Sequence, residues 1–139
     1  MTSTLELTPT ARRILRGANV AVLSTILGDG APQTTAVWVH EEEGHPIIAT
    51  TKNTLKYRNL LAEPRMALTV FLREDPYVEL NLRGRIKHFF DDDEYETIDM
   101  LSEKYYGVRP YPYLTEQQEW VKMVVTVERQ RTNKELPDE

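Results

Sequence analysis

The hydrophobic positions of this chain fall mostly into short runs of apolar or alternating residues, a pattern that is typical of β-strands. The clearest alternation is YVELNLR at residues 77–83, where every second residue is apolar. Gly84 follows this run and predicts a β-bulge before the strand continues. Further strands are predicted from apolar and β-branched runs at residues 19–26, 32–41, 46–51, 66–72 and 121–127.

Three segments carry the start and stop signals of helices. Thr8 supplies a hydroxyl cap before Pro9 at the first helical position, and Gly17 ends this helix. A second helix is predicted over residues 53–62. A third is predicted from the acidic run at 91–94 to about residue 106.

The order and spacing of these elements predict the architecture. Six strands at short spacing, mostly joined by turns of hairpin length, are typical of an antiparallel barrel. No internal repeat or low-complexity segment divides the 139 residues. We therefore predict one domain over residues 1–139, mainly β, with helices at the rim of the barrel. The polar tail at 134–139 is expected to be frayed.

Charge and composition narrow the class of protein. The net charge of −5 argues against a generic nucleic-acid-binding protein, so any anion site must be local. The chain has no cysteine, which excludes disulfides, iron–sulfur clusters and thiolate zinc sites. It also shows neither a membrane-length apolar run nor the apolar region of a signal peptide, so we expect a cytoplasmic protein without a membrane partner.

Several residue types that carry chemistry in other proteins have a structural explanation here. His40, His45 and His88 are scattered without the spacing of metal ligands, so no metal site is predicted. The acidic run DDDE at 91–94 lies where a helix start favours carboxylates. Ser24 lacks the flanking glycines of a nucleophile elbow, which argues against a hydrolase.

Aromatic residues cluster late in the chain, where two interpretations stay open. The cluster consists of Tyr105, Tyr106, Tyr111, Tyr113 and Trp120. Such residues usually pack in a core or an interface. A tyrosine-rich loop of this kind can also close a pocket.

The segment ATTKNTLKYRNL at 49–60 holds an electrostatic anomaly. Lys52, Lys56 and Arg58 crowd a predicted helix start, although the positive end of the helix dipole disfavours cations. One interpretation is a surface amphipathic helix whose lysines point to water. The other is a phosphate site made by the two lysines, free helix amides and the threonine hydroxyls at positions 50, 51 and 54.

A set of short motifs in register favours the second interpretation. They are L-x-T-x-x-x-D-G-x-P at 23–32, V-W at 37–38, T-T at 50–51, K-x-R-N-L at 56–60 and P-R-M-A-L at 64–68. With these motifs the chain resembles the pyridoxamine-phosphate-oxidase-like split-barrel family, and more narrowly the branch that uses the deazaflavin coenzyme F420. The resemblance implies a six-stranded antiparallel split β-barrel that is FMN-binding-like.

The resemblance also implies where a cofactor is bound. The flavin or deazaflavin ring is expected against the second predicted strand, at Thr34, Thr35, Val37 and Trp38. Its phosphate is expected at the end of the third predicted strand and the following turn, at Thr50, Thr51, Lys52, Asn53 and Lys56.

The function implied by this resemblance is a cytoplasmic, homodimeric oxidoreductase. It would transfer a hydride between coenzyme F420 and an unsaturated small organic substrate. Cofactor sites are expected at the dimer interface, where the partner chain would contribute the late aromatic loop and Arg109. An FMN-binding oxidase or reductase and a carrier without turnover are the alternatives. No catalytic side chain is identified, since a loop tyrosine and solvent are both possible proton donors.

Overall fold

The computed structural model of the chain describes residues 5–137. The helices are α1 (Pro9–Arg16), α2 (Leu55–Ala62) and α3 (Glu96–Tyr106). The strands are β1 (Val20–Ile26), β2 (Pro32–Val37), β3 (Val39–Glu42), β4 (His45–Thr51), β5 (Arg65–Leu72), β6 (Asp75–Asp91) and β7 (Trp120–Thr132). Residues 1–4 and 138–139 lie outside the described residues, so the two ends of the predicted domain do as well.

The strands between residues 5 and 137 form one antiparallel sheet in the order β2-β1-β5-β6-β7-β4-β3. β2 and β3 follow one another in sequence but lie at opposite edges of this sheet, with only Trp38 between them. The chain therefore leaves one edge and joins the other within a single residue, which requires the sheet to curl into a half-barrel. The prediction of a mainly β, split-barrel fold with rim helices is confirmed.

The described residues contain seven strands rather than the six expected, because the predicted strand at 32–41 is broken at Trp38. Val37 pairs with Ala21 on β1, whereas Val39 pairs with Ile48 on β4. A hydrogen-bonded ladder cannot continue through a residue at which the partner strand changes. Val37 and Val39 are both buried and apolar, so the hydrophobic pattern gives no sign of the break.

Aliphatic side chains fill the interior of the half-barrel. Alternate residues of β7 face inward and are at most 1 % exposed: Val121, Met123, Val125 and Val127. α1 closes one end of the barrel with Ile14 and Leu15, which are fully buried. Each large side chain buried in this way contributes roughly 1.5–3 kcal/mol.

The bulge predicted at Gly84 is confirmed, because the pairing of β6 with β7 shifts register between Arg83 and Gly84. β6 continues through the bulge as one strand of 17 residues. The backbone of β7 lies so close that a Cβ at Gly84 would be 2.0 Å from the carbonyl oxygen of Thr126. Only glycine fits this contact without displacing backbone atoms.

The helix starts follow the predicted chemistry with small shifts. α2 begins at Leu55, two residues later than expected, because the hydroxyl of Thr54 caps it by accepting from the N–H of Tyr57. α3 is preceded by the acidic run, and Asp92 accepts from the N–H groups of Thr97 and Ile98. The acidic run thus stabilises a helix start, as the sequence indicates.

The tail prediction is wrong for residues 135–137, which lie against α1. Thr10 donates its hydroxyl to the carboxylate of Glu135 at 2.9 Å and accepts from the N–H of Leu136 at 3.2 Å. Arg13 donates to the carbonyl of Pro137. In the described part of the chain, the helices are too short or too polar to cross a membrane.

Candidate functional site

A cavity of about 420 Å³ lies where β2 passes into β3, a volume typical of small-molecule sites. Its wall is mostly aromatic and aliphatic, with one cation and several hydroxyls. The lining residues are Val20, Ala36, Val37, Trp38, Ala49, Thr50, Thr51, Thr54, Lys56, Ile98, Tyr105, Tyr106, Tyr111, Gln118 and Trp120.

Five of the nine residues predicted to bind a cofactor line this cavity. They are Val37, Trp38, Thr50, Thr51 and Lys56. The structure therefore brings both halves of the predicted site, the strand before the break and the segment before α2, to one concave surface. What these residues bind remains a prediction.

The other four predicted residues lie near the cavity but outside its lining. Thr34 is exposed on the outer face of β2, and Thr35 lies opposite Leu23 on the inner side of the sheet. Lys52 is held in ion pairs, and Asn53 is exposed and accepts from the hydroxyl of Thr51. A cofactor role for these residues also remains a prediction.

Trp38 is enclosed by tyrosines of α3 and the loop that follows it. Its ring stacks on that of Tyr105, with centroids 5.3 Å apart and planes 5° from parallel. Tyr106 and Tyr111 meet it edge-on at 4.7 Å and 5.9 Å. Edge-on and offset arrangements of this kind are favourable for aromatic quadrupoles. The rings of the late aromatic cluster therefore pack together, and Tyr105, Tyr106, Tyr111 and Trp120 line the cavity. That the tyrosine-rich loop closes a pocket stays a prediction.

Side chains of α3 satisfy the backbone at the strand break. The N–H of Val39 donates to the hydroxyl of Tyr105 at 3.2 Å, and the ammonium of Lys104 donates to the carbonyl of Val39. Tyr105 also donates to the carbonyl of Asn19 at 2.8 Å, beside β1. Buried backbone groups must find such partners, so α3 fixes the position at which Trp38 enters the cavity.

Lys104 is the most strongly perturbed titratable group near the site. Burial lowers the pKa of its ammonium to about 7. Its Nζ also lies 2.8 Å from the carbonyl of Leu15 and 3.2 Å from Nδ1 of His40. Burial, followed by the charge of Lys104, lowers the pKa of His40 as well. Protonation of both side chains at the same time is therefore disfavoured beside the strand break.

The three cations that crowd the start of α2 have different environments. Lys52 pairs with Asp91 at 3.0 Å and with Glu119 at 3.5 Å, and its hydrogen bond to Asp91 raises its pKa. Arg58 is exposed and donates to the carbonyl of Asn53. Lys56 lines the cavity and has no carboxylate within 4.0 Å among residues 5–137. Burial lowers the pKa of Lys56, which shows that nothing in the described chain offsets its desolvation.

The threonines beside Lys56 are engaged with one another. The hydroxyl of Thr54 donates to the carbonyl of Thr51 at 2.9 Å and lies 3.0 Å from the hydroxyl of Thr50. This leaves the ammonium of Lys56 as a donor on the cavity wall. The N–H groups of Leu55 and Lys56 begin α2, where the first turn has no intrahelical acceptor. Such a set can hold an anion.

Some lining residues could not be anticipated from the sequence. Val20, Ala49 and Gln118 come from β1, β4 and the loop before β7, and only the curl of the sheet brings them together. The aromatic cluster, by contrast, was visible as a local enrichment. Among the described residues, no group of three or more histidine, aspartate or glutamate side chains could hold a metal ion.

The sequence profile of the Pyridoxamine 5'-phosphate oxidase family matches residues 7–133. A comparison with curated proteins gives no match.

Solved structures resemble this fold over most of its length. A protein named F420 Reductase superposes with a TM-score of 0.80 at 25 % identity, covering 90 % of this chain and 98 % of the other. A conserved hypothetical protein from Mycobacterium tuberculosis gives 0.71 at 19 % identity, covering 95 % and 87 %. General Stress Protein 26 from Bacillus anthracis gives 0.62 at 16 %, covering 86 % and 88 %. The last two likenesses show the fold alone.

Replacing Lys104 with methionine should flatten the dependence of the unfolding free energy on pH. The unfolded chain keeps a proton on this lysine up to about pH 10.5, whereas the folded protein releases it above about pH 7. Between these values the unfolded state holds more protons, so the lysine makes the free energy of unfolding rise with pH.

Urea unfolding between about pH 7 and 10 measures this slope. Lys104→Met should lower it relative to the wild type, and Lys87→Met, which removes an exposed lysine, should not. Parallel profiles for the wild type and Lys104→Met would contradict the assignment.

Proposed function

The chain belongs to the Pyridoxamine 5'-phosphate oxidase family, and from this premise we propose that it is an oxidoreductase that uses the deazaflavin coenzyme F420. The observation that carries the proposal is Lys56, which lies in the wall of a mostly aromatic and aliphatic cavity and has no carboxylate within 4.0 Å among residues 5–137. The likeness to the protein named F420 Reductase supports the choice of coenzyme.

The cavity fits an anionic cofactor with a flat ring. Trp38 and its tyrosine neighbours offer an extended aromatic wall, and Lys56 with the first amides of α2 offers a place for a phosphate. With a net charge of −5 for the whole chain, the basic character at Lys56 is a local feature. Val37, Thr50 and Thr51 also line the cavity, where the main chain at Val37 would contact the polar edge of the ring and the two threonines would lie at the phosphate.

The coenzyme, when bound, would supply hydride chemistry. The residues of this chain would bind and orient the coenzyme and the substrate, and would exclude water. Lys56 would neutralise the phosphate, and the rings around Trp38 would exclude water from the reacting face. Burial raises the pKa of Tyr105 to about 12 and also raises the pKa of Tyr111. Both phenols are therefore protonated at neutral pH. Tyr105 already donates to the carbonyl of Asn19, whereas Tyr111 lines the cavity and can donate a hydrogen bond to a ligand. Solvent remains an equal source of the proton that a reduced substrate needs.

A homodimer is part of the proposal, because an uncharged outer face is open in the single chain. Its central residues are small, apolar or hydroxyl-bearing and lie opposite one another on three strands: Val22, Ser24, Thr34, Ala36, Ala67 and Thr69. Interface cores are depleted in charge in the same way. Ala36 belongs to this face and also lines the cavity, so a partner on the face would border the site.

The role of Arg109 is proposed on the same ground. Within one chain it is exposed, pairs with Glu103 at 3.2 Å and does not line the cavity. It would reach a site only across such an interface. The cytoplasmic location stays a prediction from the sequence.

Lys56→Ala should weaken binding of coenzyme F420 by about 1.5–3 kcal/mol, the usual contribution of a charge-assisted hydrogen bond. A fluorescence titration of the purified protein measures this loss. Lys87→Ala is the control for charge, and it should bind like the wild type. Lys52→Ala should have a smaller effect than Lys56→Ala, because Asp91 already engages Lys52. Unchanged affinity in Lys56→Ala would contradict the phosphate site and favour the other interpretation of residues 49–60, a surface helix whose lysines point to water.

Light scattering should report a homodimer for the wild type at micromolar concentration. Val22→Glu puts a charge in the middle of the uncharged face, opposite Ala36 and Thr69, and should yield monomers with weakened coenzyme binding. Glu43→Gln is a control, because Glu43 is exposed in the turn between β3 and β4, away from the three strands of this face. A wild-type monomer that binds the coenzyme at full strength would refute sites shared between two chains.

Turnover separates the proposed enzyme from its two alternatives. The deazaflavin has carbon in place of the flavin N5, so its reduced form donates hydride and reacts poorly with oxygen. We expect tighter binding of coenzyme F420 than of FMN, and return of coenzyme absorbance when conjugated acceptors are added to the reduced form in air. Tighter FMN binding would favour a flavoprotein. Tight F420 binding without turnover on a broad acceptor panel would favour a carrier.

A further inference from the structure

A second concave surface, the arginine cleft, lies between α1 and the turn that joins β5 to β6. It encloses about 750 Å³ and is larger than the aromatic cavity. Four of its lining residues are arginines, Arg12, Arg13, Arg16 and Arg73, and the only carboxylate in the lining among the described residues is Glu74. Positive charge is thus concentrated at this surface although the chain carries a net charge of −5.

Structural contacts account for part of this charge but not for all of it. Arg16 pairs with buried Glu41 at 2.6 Å, and Arg12 donates to the carbonyl of Leu7 at 2.8 Å. The guanidinium of Arg73 has no carboxylate within 4.0 Å between residues 5 and 137. Arg12 and Arg16 stand four residues apart on α1, a spacing at which like charges destabilise a helix, and Glu41 offsets part of this repulsion by pairing with Arg16.

Residues 135–137, which include one carboxylate, lie along this cleft. Leu136 and Pro137 form part of the lining, and Glu135 is held at its border by the hydroxyl of Thr10. The surface therefore already accommodates an extended segment with a carboxylate. Its charge complements anions rather than cations or neutral groups.

The cleft and the aromatic cavity share a rigid wall. Asn19 lines the cleft and Val20 lines the cavity, and the two are consecutive residues. The side chain of Asn19 accepts from the N–H of Arg73 and donates to the carbonyl of Ile14, both at 2.8 Å. The main-chain carbonyl of Asn19 accepts from the hydroxyl of Tyr105, whose ring stacks on that of Trp38. Val20 also pairs with Phe71, two residues before Arg73, so residues of the two surfaces lie on neighbouring strands.

We propose that the arginine cleft binds the anionic group, a carboxylate or phosphate, of a conjugated substrate whose ring system enters the aromatic cavity. This inference rests on the proposed function for the identity of the reacting site. It adds the class of substrate, since it selects acids over neutral analogues of the same shape. Arg73 is the principal anchor, because its backbone is fixed by Asn19 while its guanidinium has no carboxylate partner among residues 5–137.

Calorimetry with 2-naphthoate, 2-naphthamide and 2-naphthyl phosphate tests the cleft, with and without saturating coenzyme F420. The wild type should bind 2-naphthoate about tenfold or more tightly than the amide, as expected for a charge-assisted hydrogen bond to a guanidinium. Arg73→Gln should reduce this preference to about twofold or less. Arg131→Gln removes an exposed arginine outside the cleft and should keep it. Tighter binding of the phosphate than of the carboxylate would identify a phosphate monoester as the natural group.

Equal binding of acid and amide by the wild type would overturn the inference, and so would a preference that survives in Arg73→Gln. A loss of coenzyme affinity in Arg73→Gln with unchanged naphthoate binding would also overturn it, because the cleft would then hold the coenzyme. Lys56→Ala should leave the naphthoate preference intact. If the wild type prefers the acid but binds no coenzyme F420, the anion site in the arginine cleft is supported and the proposed function is contradicted.

Discussion

The structure depends on the break of one strand at Trp38. Because β2 and β3 lie at opposite edges of the sheet, the residues beside Trp38 define both the closure of the half-barrel and the position of the cavity. Val39 is held there by Tyr105 and Lys104 from α3. Fold and site thus share the same few hydrogen bonds, so a change in α3 acts on the cavity wall as well as on stability.

Electrostatics then distinguishes one cation from its neighbours. Lys52 is satisfied by Asp91 and Glu119, whereas Lys56 is desolvated beside the cavity without a carboxylate in reach among residues 5–137. Desolvation without a partner disfavours the charged form of a lysine. Lys52 is thus explained by its acidic partners, whereas Lys56 would be explained by the anion of the proposed cofactor.

The sequence predicts the helices and strands better than it predicts which strands pair and which elements contact one another. Alternation identifies each strand, Thr8 and Thr54 mark helix starts, and Gly84 marks the bulge, because these signals are local. The break at Trp38 escapes prediction, since it is set by partner strands distant in sequence. For the same reason the motifs T-T at 50–51 and K-x-R-N-L at 56–60 could be identified from the sequence, but the ion pair between Lys52 and Asp91 could not.

A crystal structure of the protein with coenzyme F420 tests the central claim most directly. The account predicts the deazaflavin ring in the cavity beside Trp38, with a phosphate oxygen within hydrogen-bonding distance of Nζ of Lys56. A coenzyme bound elsewhere on the protein, or one whose phosphate lies in the arginine cleft with Lys56 uncontacted, would contradict it.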